Sequence, residues 1–187
     1  GKEMMDGNRF LDWPSSEDPA AIHAGLQAMS IWSLTTAAKL AVILNDRETQ
    51  QTAEEAVSRL KQYLPNMGQS KQAAALMALT DLAPASEANT VLSAGGAKNF
   101  STFYGYYMLQ AMAKAGNYQG ALDVIRNYWG AMLDLGATTF WEDFNLDWLP
   151  NAGRIDELVP AGKKDIHGDY GDYCYVGFRH SFCHGWA

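Results

Sequence analysis

Cysteine is nearly absent: Cys174 and Cys183 are the two in 187 residues. That is too few for a disulfide scaffold, so the fold must rest on packing. The pair could bridge in an oxidising compartment, and spacing alone does not decide it. Positive charge is also short, with 14 Lys and Arg against 21 Asp and Glu, a net charge of −7. Such a surface repels a nucleic-acid backbone, and a neutral or cationic ligand is expected instead. No run of about 18 uninterrupted apolar residues occurs, so no membrane contact is expected. No alternation of Val, Ile and Thr is long enough for a sheet. The opening Gly1-Lys2-Glu3-Met4-Met5-Asp6 does not read as a secretory leader.

The composition, 48% hydrophobic and 19% charged, lies in the globular range, and the length suits one domain over residues 1–187. From Pro19 to Asn45, Ile22, Leu26, Met29, Ala37, Leu40 and Leu44 recur at three- and four-residue spacing, which places them on one helical face. Ser15, Ser16, Glu17, Asp18 and Pro19 ahead of it combine a polar cap, early acidic residues and a first-turn proline. A second helix is expected over Arg47 to Leu64, with Ala53, Ala56, Val57, Leu60 and Leu64 inward and Pro65 as its stop. Further helices are expected over Lys71 to Leu82, Ser86 to Ala94, Phe103 to Ala115 and Tyr118 to Leu135, separated by Pro84, Gly95-Gly96 and Gly116-Asn117 and closed by Gly136. Short connections make consecutive helices antiparallel, so residues 19–135 read as a row of helical hairpins in an all-α fold.

Residues 136–181 are rich in Gly, Asp and aromatic side chains and have weak helical period. They read as a long ordered loop leading to the start of a further helix over 182–187.

Three stretches mix aromatics with carboxylates or histidines: Arg9 to Pro14, Thr138 to Asp143, and Arg179 to Trp186. Sugars present apolar ring faces and many hydroxyls, so their sites combine flat indole surfaces with carboxylates, amides and imidazoles. Glycoside hydrolysis needs two carboxyl groups, one protonated and one ionised. Glu142, beside Trp141 where a helix passes into a loop, is the candidate for the ionised one. The bland readings are a solvated charge with a packed indole there, and for Asp12-Trp13 a cap and hydrophobic staple. Cys174, His180, Cys183 and His184 lack paired zinc-ligand spacing, and Asp165, Asp169 and Asp172 lack that of a calcium loop, so no metal is expected. Asn99-Phe100-Ser101 matches a glycosylation acceptor, a pattern that is common by chance.

Phe10-Leu11-Asp12-Trp13, Gly136-Ala137-Thr138-Thr139-Phe140-Trp141-Glu142 and Ser181-Phe182-Cys183-His184-Gly185-Trp186 together resemble glycoside hydrolase family 78, the α-L-rhamnosidases. The Gly-Ala-Thr-Thr-x-Trp-Glu string is the most specific, and the three motifs span essentially the whole chain. The resemblance implies about half of an (α/α)6 toroid of the six-hairpin glycosidase type. It implies inverting hydrolysis of terminal α-L-rhamnosyl residues, with no cofactor and a rhamnose-containing glycan as substrate. Glu142 looks like the family's general base and His184 like its sugar-contacting histidine, while Asp12, Trp13 and Trp141 would line or shape the same pocket. It also implies a periplasmic or secreted parent protein.

The family's acidic, Trp-bearing general-acid segment has no equivalent before Arg9, so the chain is expected to be a fragment inactive alone. Its uncovered apolar helix faces would then pair in a homodimer. Alternatives are another (α/α)6 enzyme, including a polysaccharide lyase using Tyr173 or His180 beside Arg179, and a helical-repeat binding scaffold. The hairpins differ in length and share no repeat signature, which weighs against the scaffold.

Overall fold

A computed structural model describes residues 1–142, 144–158 and 160–162, with the backbone alone at 164–165. The described residues form an all-α fold of six helices: α1 (Pro19–Ile43), α2 (Arg47–Lys61), α3 (Lys71–Leu79), α4 (Ala85–Ser93), α5 (Thr102–Lys114) and α6 (Tyr118–Asp134). Each of the six helices expected over 19–135 is present, with ends shifted by up to three residues, and the further helix expected over 182–187 lies outside the described residues.

The order of packing follows from which helices carry small side chains. Ala73, Ala74, Ala75 and Ala78 on α3 are fully buried, and their short side chains let neighbours approach on several sides. Accordingly α3 packs against α1, α4 and α5, while α1 pairs with α2 and α5 with α6. The odd-numbered helices thus lie side by side, each joined to the next even one by a short turn.

Two sequence expectations about faces are corrected. Ile22 and Leu26 are buried on α1, but Met29, Leu40 and Leu44 of the same stripe are exposed, and Ile31, Ala38 and Ala41 are buried instead. Neighbours press on two sides of the first half of this helix, so no single stripe describes it. Its last turns bury Ala38 and Ala41 but leave Leu40, Val42, Ile43 and Leu44 exposed. Leu64, expected inward, is 62% exposed because α2 ends at Lys61. By length and composition α1 is apolar enough to cross a membrane, yet its buried residues face α2 and α3.

The cap of α1 also differs in detail. Asp18, rather than Ser15 or Ser16, accepts from the Ala20 and Ala21 amides at 3.0 Å, with Pro19 in the first turn. Ser15 is turned inward, 2.8 Å from Ser70 Oγ and donating to Gln72 Oε1 at 2.9 Å.

The chain before α1 is anchored by polar contacts that periodicity does not register. Buried Glu3 pairs with Arg9 and with His23 Nδ1, the latter at 2.5 Å. Fully buried Gln27 accepts from the Glu3 amide at 2.6 Å and donates to the Gly1 and Leu60 carbonyls. Burial, then the Arg9 and Lys2 charges, hold His23 below its ordinary value. Leu11 lies against Gly25 of α1, where any Cβ would meet its side chain.

Beyond α6, Gly136 turns at φ +88°, and a Cβ there would sit 2.5 Å from Asp156 Oδ1. Arg154 clips the following loop back by donating to the Asp134 carbonyl and to Asp156. Within the loop a 3₁₀ turn, Leu146–Trp148, precedes a two-residue parallel pairing of Ala152–Gly153 with Lys164–Asp165. That pairing is the one sheet element among the described residues.

Candidate functional site

The buried hydroxyls of Ser101 and Thr102, where α5 begins, draw two distant segments together. Ser101 Oγ donates to Asp12 Oδ2 at 2.5 Å, and Thr102 Oγ1 donates to the Trp141 carbonyl at 2.5 Å. Ser101 stands at the N-cap of α5, but its side chain makes no cap bond because it serves Asp12 instead. The positive end of the α5 dipole faces the same carboxylate. Gln72, at the start of α3, adds Nε2 at 3.0 Å from Asp12 Oδ2 and bonds the Asn99 carbonyl at 3.1 Å. One carboxylate therefore ties together the turn before α1, the start of α3 and the start of α5.

Asp12 is 6% exposed. Burial raises its pKa above the ordinary carboxylate value, and the bonds from Ser101, the Trp13 amide and Gln72 offset this only partly. Its charge and that of nearby Tyr107 add to the effect of burial on Tyr104, whose phenol is pushed up to about 12.

Trp13 is 45% exposed and meets Phe10 edge-on with ring centroids 5.0 Å apart. Trp141 is 2% exposed, packed edge-on against Phe144 at 5.6 Å, so its indole supports the loop from behind. Glu142 follows it half-buried, with Oε2 shielded from solvent, and the residue interacts with the fold around it. The Asp12 and Trp141 segments thus share one end of α5. His184 lies outside the described residues, as do Arg179, His180, Tyr173, Cys174, Cys183, Asp169 and Asp172. Among the described residues no group of three His, Cys, Asp or Glu could hold a metal ion.

No family model, curated protein or solved structure matches this chain.

Sequence reasoning missed Gln72, Ser101 and Thr102. The available signal was a Ser-Thr pair directly before an expected helix, which favours an N-cap; that the hydroxyls would bond other segments is a tertiary fact. Two cavities also went unread. One of about 320 Å³ is lined by Trp13, Pro14, Asn99, Phe100, Tyr128, Phe144, Asn145, Leu146 and Trp148. Another of about 300 Å³ lies between α1, α3 and α5 and is walled mainly by Trp32, Phe103, Tyr104 and Tyr107.

Proposed function

We propose that this chain is part of a carbohydrate-cleaving enzyme resembling the α-L-rhamnosidases, and that Glu142 is its general base. The observation that carries the reading is the Ser101-Thr102 pair, which brings the Asp12-Trp13 and Trp141-Glu142 segments to one end of α5. Those segments are the two described motifs on which the family resemblance rests. The side-by-side packing of α1, α3 and α5 supports a partial (α/α)6 toroid.

In an inverting displacement the base takes a proton from water as its oxygen attacks the anomeric carbon from the face opposite the leaving oxygen. A second carboxyl group gives its proton to that leaving oxygen. Trp13 would offer an apolar face to the sugar ring, Trp141 would hold Glu142 in place from below, and His184 would contact the sugar. Buried Asp12 sets the position of Trp13 through its bonds to α3 and α5, so its part in binding is indirect.

A nitrophenolate leaves without protonation, so an activated aryl glycoside tests the base even where the acid is not supplied. Incubation with 2,4-dinitrophenyl α-L-rhamnopyranoside should release phenolate and, by NMR, β-L-rhamnose first. Glu142→Gln should lower kcat by about 10²–10⁴-fold, the usual contribution of general-base catalysis, with KM changed little. Unchanged turnover in that variant removes the base assignment; α-L-rhamnose as first product removes the inverting mechanism.

The uncovered apolar residues at the end of α1, Leu40, Val42, Ile43 and Leu44, support the homodimer expected from the sequence. Sedimentation velocity showing a monomer at every concentration would count against it.

A further inference from the structure

We infer that the 320 Å³ cleft between the Trp13 turn, the loop before α5 and the Leu146–Trp148 turn is a binding subsite for one neutral pyranose unit, with Asn99 and Asn145 as its hydroxyl-reading groups. It deepens the sugar-enzyme reading and rests on it for the ligand class, but uses neither Glu142 nor its chemistry.

The volume lies at the small end of ligand pockets, which run to roughly 300–1,000 Å³, and so suits a single ring. Among the described residues the lining, Trp13, Pro14, Asn99, Phe100, Tyr128, Phe144, Asn145, Leu146 and Trp148, contains no carboxylate, ammonium or guanidinium. A charged ligand would enter without a counter-charge, at a large desolvation cost. A sugar fits both halves of this inventory: its C–H faces match indole, and its hydroxyls match side-chain amides.

The amides are placed for that task. Asn99 sits at φ +61°, a left-handed position that Asn tolerates better than most residues. Among the described residues no hydrogen bond reaches its side-chain amide. Asn145 spends its Oδ1 on the Asp147 amide at 2.9 Å, which fixes the side chain while leaving both Nδ2 protons for a ligand. Tyr128 contributes its ring, since its hydroxyl donates to the Phe144 carbonyl at 2.9 Å. Lys98 and Asp147, 2.9 Å apart on the surface, join the two loops that carry these asparagines. Trp13 belongs to this cleft as well as to the segment tied by Asp12, so the subsite adjoins the candidate catalytic region.

The test is a calorimetric titration of the whole chain with methyl α-L-rhamnopyranoside, methyl α-D-glucopyranoside and adenosine, the last as a stacking ligand that is not a lone sugar. At least one methyl glycoside should bind with a millimolar Kd or better and alter tryptophan fluorescence. Two variants leave the backbone intact: Asn99→Gly, because glycine accepts positive φ, and Asn145→Asp, because it keeps the oxygen that caps Asp147. Each should weaken glycoside binding at least fivefold with an unchanged melting curve. The inference is overturned if neither glycoside binds, if adenosine binds more tightly than both, or if both variants bind like the wild type. Glu142→Gln in the same titration separates the two proposals. Binding without cleavage of the aryl rhamnoside by the wild type leaves the subsite standing and removes the base. Cleavage with Kd and KM unmoved by both asparagine variants does the reverse.

Discussion

Replacing Asp12 by alanine should loosen three parts of the molecule at once, because its carboxylate accepts from Ser101 of the α5 cap and Gln72 of α3 while sitting in the turn before α1. Gln72 keeps its bond to the Asn99 carbonyl at 3.1 Å, so the group left stranded is Ser101 Oγ, in a residue 4% exposed. A hydrogen bond to a charged acceptor contributes about 1.5–3 kcal/mol, and a stranded buried donor costs about 1–3 kcal/mol. Relief of the buried charge offsets part of this, and a net loss of about 2–4 kcal/mol is expected. For a chain of this size that lowers Tm by about 5–15 °C. Asp12→Asn keeps one acceptor oxygen for Ser101 and Gln72 but turns an amide toward the Trp13 N–H, so a smaller loss is expected.

The pH dependence gives the sharper check. Burial raises the folded-state pKa of Asp12 above its unfolded value. Stability from this group is then complete below the unfolded value of about 3.8 and is lost as pH rises through the folded value. The advantage of wild type over Asp12→Asn should shrink as pH rises above the unfolded value, measured by circular dichroism melts in matched buffers. An advantage that grows with pH, or an alanine variant melting within 2 °C of wild type, would refute the account of this carboxylate as the central tie.

Gly25→Ala would push a methyl into Leu11. The Phe10–Trp13 segment should shift, at about 1–3 kcal/mol of stability, with altered Trp fluorescence. Thr102→Val removes the donor to the Trp141 carbonyl at 2.5 Å at nearly constant volume. Hydrogen exchange should quicken around residues 140–142 more than in α3, and turnover that depends on Glu142 should fall. Lys71 donates to the Gly96 carbonyl at 2.5 Å and lies over the Phe100 ring, yet burial brings its pKa down to about 8. The unfolded chain then binds more protons between about pH 8 and 10.5, so stability relative to Lys71→Met should rise with pH across that window in denaturant titrations.

The helices were legible one by one because their signals are local. Pro84, Gly116 and Gly136 end them, Asp18 with Pro19 opens the first, and apolar spacing runs between. The motif segments around Asp12 and Glu142 were legible too, as aromatic residues beside carboxylates. What each motif residue does depended on neighbours far along the chain. Asp12 reads from sequence as a ligand-facing carboxylate, yet partners 60 and 89 positions away make it a buried tie. Trp141 reads from sequence as either a shaper of the sugar pocket or a packed indole, and Phe144 and the start of α5 enclose it. Met29, Leu40 and Leu44 share a stripe with Ile22, but burial depends on where α2 and α3 reach along α1, and helical period carries no information about that length. Composition and period determined that this chain makes antiparallel helices; only the packing of α1, α3 and α5 decided which polar groups meet at their ends, because such meetings are set by chain crossings.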